Sequence, residues 1–329
     1  MYFIWTHIGA LVMLAGLIYL GFSVGSFDLT DLMAQARLLP ALAQIYVAAA
    51  LSLGLSVKMA SFGLHVWLPH AHAEAPTPIS ALLSPAMIGI GGYALIRFMV
   101  TLLPSGYAAV SPYLLLWGFF TILYGGLMAL AQDDIKRLLA YSSISQMGYI
   151  MVGIASASIL GFSGATLQYV AHGLGKGVLF MMAGVLIMQT GTRSLSKLGG
   201  LAKKLPVTAT LALLGFLTIM GVPPTVGFIS EFFIFQGSFS SASLNASSLR
   251  FLLSPLSIIA SLLTFGYALW TMKRIFFGKL PEGMSSVKEP SKSTLAPMVI
   301  LSIVSIFLGI YPFLFDRTIE FLRMVVGGA

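Results

Sequence analysis

The sequence of 329 residues contains no cysteine. Disulfide bonds, thiolate zinc sites and thiolate-ligated iron–sulfur clusters are therefore excluded as parts of this chain. The sequence also lacks a phosphate-cradling loop, a dinucleotide-binding fingerprint and a nucleophile–base triad. We therefore expect no cofactor and no enzymatic chemistry of its own, so that any redox reaction takes place in partner proteins.

Charged residues are scarce as well: they make up 9% of the chain, whereas hydrophobic residues make up 58%. Soluble domains contain about 25% charged residues. With a mean hydropathy of +0.95, the sequence predicts an all-α polytopic integral membrane protein in contact with the lipid bilayer. The net charge of +8 would suggest nucleic acid for a soluble protein, but these basic residues lie in short loops and at helix ends. They are interpreted as topology determinants, and no nucleic acid partner is expected.

Nine apolar segments are long enough to cross a bilayer, for which about 20 residues are needed. They are, approximately, residues 3–24, 41–63, 79–103, 111–131, 138–159, 164–190, 206–236, 252–275 and 294–315. The fifth and sixth nearly touch, which leaves only a short junction near Gly161. Met1 leads directly into the first segment without a basic region or a cleavage site, so no signal peptide is expected.

The distribution of basic residues predicts the orientation, because lysine and arginine are retained in the cytoplasm. The loops after the even-numbered segments hold eleven lysines and arginines, and the opposite side holds four. This bias places the N-terminus inside and the C-terminus outside, with a prokaryotic cytoplasmic membrane as the expected location.

Two of the spans contain interruptions. The seventh is too long for one straight crossing and contains GVPPTVGF at 221–228, where two prolines should break the helix. The second is followed by a similar interruption at 58–69. Discontinuous helices at corresponding places indicate a transport site, because irregular backbone at membrane depth occurs only inside protein or beside a wet cavity.

The candidate ionisable residues for a site within the predicted spans are Lys58, His172, Lys176 and Glu231. His172 and Lys176 are four residues apart and therefore share one face of a helix. A row of acid, lysine and histidine at mid-membrane is what a proton relay requires, because each group can hold or release a proton. The alternative is that these groups form structural ion pairs or snorkel towards the interface.

Further ionisable residues could support such a relay; they are His65, His72, Glu74, Arg97 and Lys136. The turn that holds His65, His70, His72 and Glu74 could also be a metal cluster, but a His-x-His pattern with one glutamate is weak evidence for a metal. We expect no metal there, and favour proton entry or loop packing. For Arg97, near a helix end, snorkelling and function remain equal alternatives.

Four segments resemble the signature segments of antiporter-like membrane subunits. They are LHVWLPHAHAEAPTPISALLS, AQDDIKRLLAYSSISQMGYI, AHGLGKGVLFMMAG and GVPPTVGFISEFFIF. The family includes the large membrane-arm subunits of respiratory complex I, those of Mrp-type sodium/proton antiporters, and the corresponding subunits of membrane-bound hydrogenases and related complexes.

The resemblance implies a fold of fourteen helices with two inverted five-helix repeats, each with one broken helix. The nine spans are similar to helices six to fourteen of that fold, so the first five would be lacking. Residues 1–105 would be the remnant of the first repeat, with three helices. Residues 106–250 would form the second repeat, a five-helix unit continuing to about 275, and 276–329 a cytoplasmic loop and the C-terminal helix.

The resemblance also assigns roles to the ionisable residues in the spans. Lys58 matches the lysine of the first broken helix, and Lys176 with His172 matches the linking pair of the second repeat. Glu231 matches the terminal charged residue of the second broken helix.

The chain departs from the family pattern in two ways. No glutamate precedes the first span to pair with Lys58, and Gly89 stands where a second lysine is common. The first half-channel therefore looks incomplete. Either another subunit supplies the missing helices, or this half serves as a docking surface.

The leading functional interpretation is a proton- or sodium/proton-translocating subunit of a multi-subunit membrane complex, coupled to redox chemistry or cation exchange elsewhere. Its partners would be other membrane subunits, including one that packs against the first three helices. The alternative is a non-conducting structural subunit that docks other membrane subunits. A free-standing antiporter ranks third, since half a repeat is absent.

Overall fold

The structure is a computed structural model that describes residues 1–243, 249–315, 317, 319 and 320. Its regular elements are helical, apart from one isolated bridge between Asp134 and Ser194 within the described residues. The α-helices are α1 Tyr2–Val24, α2 Leu29–Gln35, α3 Ala41–Lys58, α4 Trp67–Glu74, α5 Thr77–Leu82, α6 Ile90–Ala94, α7 Pro104–Leu130, α8 Ile135–Ala155, α9 Ile159–Thr190, α10 Pro206–Ile219, α11 Val226–Ser243, α12 Leu249–Phe276 and α13 Lys292–Ile310.

The prediction of an all-α polytopic membrane protein with discontinuous helices is confirmed. Eight helices of the described chain are long and apolar enough to cross a membrane, counting Thr77–Val100 as one. The remaining predicted span, 206–236, is divided into α10 and α11. Residues 316, 318 and 321–329, and with them the predicted outside C-terminus, lie outside the described residues.

Helix α8 lies at the centre of the bundle, with 94% of its most apolar window buried. It packs against α7 and α9 along its length, and against α4 and α11 at the two broken segments. Small residues permit this closeness: a Cβ at Gly148 would lie 2.6 Å from the carbonyl oxygen of Gly118 on α7. By contrast, only 22% of the corresponding windows of α1 and α13 is buried, so both helices lie at the periphery.

The junction between α8 and α9 differs from its predicted position near Gly161. Helix α9 already begins at Ile159, and Gly161 lies within its first turn. The reason is the N-cap Ser158, whose hydroxyl accepts a hydrogen bond from the Gly161 amide at 3.0 Å. The junction is therefore the short turn between Ala155 and Ile159.

The loops after α7, α9 and α12 meet on one end of the bundle. The Asp133 carboxylate accepts hydrogen bonds from the Ser194 hydroxyl at 2.5 Å and the Ser196 amide at 2.9 Å, and it pairs with Arg274. The Gly200 amide donates to the carbonyl of Phe277 at 3.0 Å. The three basic loops therefore lie at the same end of the helix bundle.

We expect Asp133→Asn to destabilise the protein by up to about 1 kcal/mol near neutral pH, since the site is half exposed. The hydrogen bond from Ser194 and the further donors around it lower the pKa of Asp133 to about 2. Because the folded pKa is depressed below the usual 3.8, this stabilisation is present above about pH 4 and is lost as the pH falls towards 2. Thermal unfolding in detergent should show a gap between wild type and variant that narrows below about pH 4. Glu282→Gln, at an exposed residue of the same side, is the control and should show no such gap.

Candidate functional site

The first helix break places Lys58 at the last position of α3. The chain then turns through Ala60 and Gly63, both with positive φ, before α4 begins. Neighbouring side chains satisfy the exposed backbone of the break. Trp67 donates its indole N–H to the carbonyl of Val57 at 2.9 Å, and Trp117 of α7 donates to the carbonyl of Phe62 at 2.8 Å. Two indole N–H groups thus satisfy carbonyl groups of the broken segment. Irregular backbone inside a membrane needs such hydrogen-bond partners, because no water is available there.

The second break lies between α10 and α11. Gly221 has φ +65°, a conformation that glycine adopts at little cost. The side-chain amide of Gln146 on α8 donates to the Ile219 carbonyl at 3.0 Å and so satisfies the end of α10. Gly227 passes so close to α10 that a Cβ there would collide with the Thr218 carbonyl oxygen. This second break is therefore also held by a polar side chain of the central helix.

Lys176 is fully buried at the interface of α8 and α9. Its ammonium group donates to the Leu139 carbonyl at 3.0 Å and to the Ser142 hydroxyl. One turn earlier on α9, His172 is also fully buried, and neither of its ring nitrogens has a hydrogen-bond partner among the described residues. The predicted face that carries both residues is therefore directed into the bundle, where a buried cation must be solvated by protein oxygens.

His72 on α4 reaches the same part of α9. Its ring is fully buried and stacks on Phe180, with the ring centroids 4.6 Å apart. Lys176 and His172 both lie within electrostatic range of this ring. The structure thus brings the end of the first broken helix to the lysine and histidine of α9.

Lys136 and Arg193 bind the carbonyl end of α4. Lys136 is buried and donates to the carbonyl of Ala75, and Arg193 donates to the carbonyl of Ala73 at 2.8 Å. Cations at a helix C-terminus are favourable because they satisfy the last carbonyls and complement the helix dipole. This contact gives Lys136 a structural role in fixing α4, beside any supporting role in a relay.

A chain of neutral polar side chains was not identified from the sequence. Gln168 lies one turn before His172 on the same face of α9 and donates to Gln146 Oε1 at 2.5 Å. The hydroxyl of Ser230 on α11 lies 2.5 Å from Gln168 Oε1. The four-residue spacing of Gln168, His172 and Lys176 is the sequence signal for this chain of side chains, and it includes a residue without charge.

Glu231 follows Ser230 and lies beside the second break. Its carboxyl group is buried, and Oε1 has no hydrogen-bond partner among the described residues. A Cβ at Gly221 would lie 2.6 Å from Glu231 Oε2, so the glycine leaves the space that the carboxyl group fills. Two fully buried tyrosines, Tyr149 and Tyr267, lie within electrostatic range of Glu231. We refer to His72, Lys176, His172, Gln168 and Glu231 as the polar row. This row runs from α4 through α9 to α11.

Other candidate residues lie apart from this row. Lys58 is half-buried and makes no hydrogen bond or ion pair to any described residue. His65 stays within the first break, where its ring contacts the Tyr124 hydroxyl at 3.1 Å. Glu74 is exposed, and Arg97 is half-buried near the end of the Thr77–Val100 span. Lys58, His65, Glu74 and Arg97 are therefore not part of the polar row around Lys176.

The position of Gly89 is closed by an aromatic ring. A Cβ there would lie 2.1 Å from Cδ2 of Tyr169, whose hydroxyl donates to the Ala86 carbonyl at 2.9 Å. A longer side chain at residue 89 would require this ring to move. Residue 89 itself therefore contributes no ionisable side chain, and the ring of Tyr169 fills the space beside it.

Two further observations limit the chemistry of the site. No group of three or more histidine, aspartate or glutamate side chains in the described part of the chain could hold a metal ion. A large apolar cavity of about 1040 Å³ opens between the span that includes α5, helix α9 and helix α13, but none of the ionisable residues above lines it. The buried polar row, rather than this cavity, is the site with ionisable groups.

Comparison with known proteins supports the fold and the family. The sequence model of the family described as NADH:quinone oxidoreductase/Mrp antiporter, TM, matches residues 1–257. F(420)H(2) dehydrogenase subunit M of Methanosarcina mazei is 36% identical over 323 residues, which cover 94% of this chain and 63% of the relative. This chain spans about three fifths of the length of the curated relatives it matches.

Solved structures give the same result. A chain of respiratory complex I from Thermus thermophilus with bound NADH aligns with a TM-score of 0.87 and 29% identity, over 99% of this chain and 68% of that chain. A chain of the Mrp complex from a Dietzia species aligns with a TM-score of 0.83 over 99% of this chain and 69% of that one. Its identity of 21% shows likeness of fold alone.

Proposed function

Because the chain belongs to the NADH:quinone oxidoreductase/Mrp antiporter family, we propose that it is a cation-translocating subunit of a multi-subunit membrane complex. The cation is a proton, or sodium in exchange for protons. The energy comes from redox chemistry or cation exchange in other subunits. This chain contributes binding and movement of the ion, and performs no reaction of its own.

The observation that carries the proposal is the buried polar row. It joins His72, Lys176, His172, Gln168 and Glu231 across three helices, two of which are halves of broken helices. Ionisable groups inside a membrane are costly, so a row of them is expected where ions move. The two breaks and the row therefore support one transport path, which runs from His72 on α4 through α9 to Glu231 on α11.

In this mechanism Lys176 holds the transferred proton between steps. Its charged form is stabilised by the Leu139 carbonyl and the Ser142 hydroxyl. A proton on His172 or His72 repels the charge on Lys176, so charging one group favours release from the next. The amides of Gln146 and Gln168 link this cluster to Ser230, next to Glu231, which takes up or releases the proton at the other end.

We assign the chain to two units on the same basis. Residues 1–105, with the first break, correspond to part of a first repeat, and 106–250, continuing to about 275, to a second repeat with the second break. The part of the chain from residue 276 onwards includes a loop on the basic side and helix α13, Lys292–Ile310. The N-terminus lies in the cytoplasm, as the basic loops on one side of the bundle support.

The partners of the chain are other membrane subunits. Helix α1 presents large apolar side chains on its surface, including Phe3 and Phe22 at 67% and 76% exposure. A subunit that packs against the first three spans would cover them and could supply a carboxylate to Lys58. Since Lys58 lies outside the polar row, its replacement should have a weaker effect than that of Lys176.

The alternative is a structural subunit that docks its neighbours without conducting ions. The closure of the Gly89 position by Tyr169 favours it for the first half of the chain. The buried Lys176 and Glu231 argue against it for the second half, since a scaffold gains nothing from keeping them buried.

The test uses sealed membrane vesicles that contain the assembled complex, with this chain carrying Lys176→Met together with Glu231→Gln. We expect normal assembly on native gels and normal turnover by the partner subunits in the presence of an uncoupler, but a lower number of cations moved per turnover. The variant Ser238→Ala, outside the polar row, is the control. Unchanged cation movement in the double variant would refute conduction and leave the scaffold as the function.

A further inference from the structure

A second cavity, separate from the polar row, lies at the basic end of α12. It has a volume of about 360 Å³ and is open to the surface. The residues that line it include the cationic side chains Lys273, Arg274 and Lys279 and the ring of Trp270. The opposite wall is the loop after α9, which contributes Leu195, Ser196, Leu198 and Gly199. We refer to this cavity as the interfacial cavity.

The interfacial cavity is built by two loops that fit closely. The Gly200 amide donates to the Phe277 carbonyl at 3.0 Å, and a Cβ at Gly199 would lie 2.8 Å from the carbonyl oxygen of Lys279. Gly278 turns with φ +91°, which favours glycine. The walls are therefore held by backbone contacts, and the lysine side chains extend from a fixed frame.

The charge of the cavity is positive. Lys273 and Lys279 are exposed, and neither forms an ion pair with an acidic residue in the part of the chain that the structure describes. Arg274 is paired with Asp133, so its charge is largely compensated. Lys273 lies 5.7 Å from the ring centroid of Trp270, within cation–π range. The two lysines thus leave an uncompensated positive charge beside an aromatic ring.

The position of the cavity specifies the class of ligand. Trp270 lies less than two turns before the end of a membrane-spanning helix and is 46% exposed, as is typical of tryptophans at the headgroup level. Basic pockets at the ends of transmembrane helices attract lipid phosphates. We propose that the interfacial cavity binds the phosphate headgroup of an anionic phospholipid, with Lys273 and Lys279 at the phosphate and Trp270 beside the upper part of the acyl chains.

This inference is independent of ion translocation, because none of the residues of the polar row lines the cavity. The same lysines could serve only to retain the loop on the cytoplasmic side, which would require no bound lipid. The two roles differ in one measurable respect: a topology signal depends on total charge, whereas a site depends on which lysines carry it.

The test is a lipid titration of the full chain in detergent, followed by native mass spectrometry. We expect phosphatidylglycerol to bind more tightly than phosphatidylcholine. Lys273→Gln with Lys279→Gln should weaken phosphatidylglycerol binding by about 10- to 25-fold, at roughly fivefold for each lysine near the headgroups. Lys273→Arg with Lys279→Arg keeps both charges and should retain binding.

The matched control is Lys203→Gln with Lys292→Gln, which removes two exposed lysines from the same side without touching the cavity. This variant should bind phosphatidylglycerol as the wild type does. Equal weakening in both pairs would overturn the proposal in favour of unspecific attraction. Full displacement of the lipid by inorganic phosphate would also overturn it, since the ligand would then be a soluble anion.

Discussion

Replacement of Lys176 by methionine should reduce cation translocation by the assembled complex roughly 100-fold, the lower end of the effect of removing a positioned proton-transfer group. Lys176 is the fully buried cation of the row, and the two histidines lie within its electrostatic range. Methionine fills a similar volume but holds no proton, so the path between α4 and α11 is interrupted.

The same replacement should leave the fold nearly unchanged. The Leu139 carbonyl also accepts hydrogen bonds from the hydroxyls of Ser142 and Ser143 at 2.9 Å each, so this carbonyl keeps its donors when the ammonium is lost. An unpaired ammonium group inside the bundle also carries a desolvation cost that methionine does not have, so the exchange should not destabilise the helices. A loss of transport therefore reports on proton transfer rather than on unfolding.

The measurement is acidification or alkalinisation of sealed vesicles during turnover, with the amount of complex normalised on native gels. Lys204→Met is the matched control, because this lysine also donates to a backbone carbonyl, that of Ser285, but lies in a loop outside the row. It should transport normally. Equal defects in the two variants would mean that any loss of a lysine disturbs the complex.

The second large effect concerns the pair Glu231 and Gly221. Glu231→Gln should abolish transport without a loss of stability, because the amide has the same shape and Oε1 makes no hydrogen bond to a described residue. Gly221→Ala should also impair transport, because the new methyl group lies 2.6 Å from Glu231 Oε2 and must displace the carboxyl group. Its backbone adds a cost of about 1–2 kcal/mol, since φ there is +65°.

Gly191→Ala separates the two consequences of the Gly221 replacement. Gly191 has φ +68°, but a Cβ there meets nothing within 4 Å. Both alanine variants should therefore lose the thermal stability that the positive φ costs, while only Gly221→Ala loses transport in the vesicle assay. If both transport normally, the position of the Glu231 carboxyl group is irrelevant to the function.

The sequence predicted the features that depend on strong local signals. The two prolines after Gly221 predicted the second break, and the apolar runs predicted the spans that the structure confirms. The spacing of His172 and Lys176 placed both on one face of a helix, and the structure shows this face buried. Such features follow from helical periodicity and backbone chemistry, which do not depend on which helices are neighbours.

Features that depend on helix packing could not be derived in this way. Gln146 and Gln168 are neutral residues on different helices, and only the approach of α8 and α9 joins them. The structural role of Lys136 depends on the carbonyl of Ala75, 61 residues away. Tyr169 closes the Gly89 position across 80 residues of chain, so the sequence showed a missing lysine but not the ring that replaces it.

The most direct test of the account is the number of cations moved per turnover by a complex with Lys176→Arg. Arginine retains the positive charge and can donate to Leu139 and Ser142, but it does not release its proton in proteins. If Lys176 carries the transferred proton, the variant should assemble and turn over when uncoupled, yet move no cations through this chain. Transport at the wild-type ratio would show that only the charge is needed, and would contradict the account.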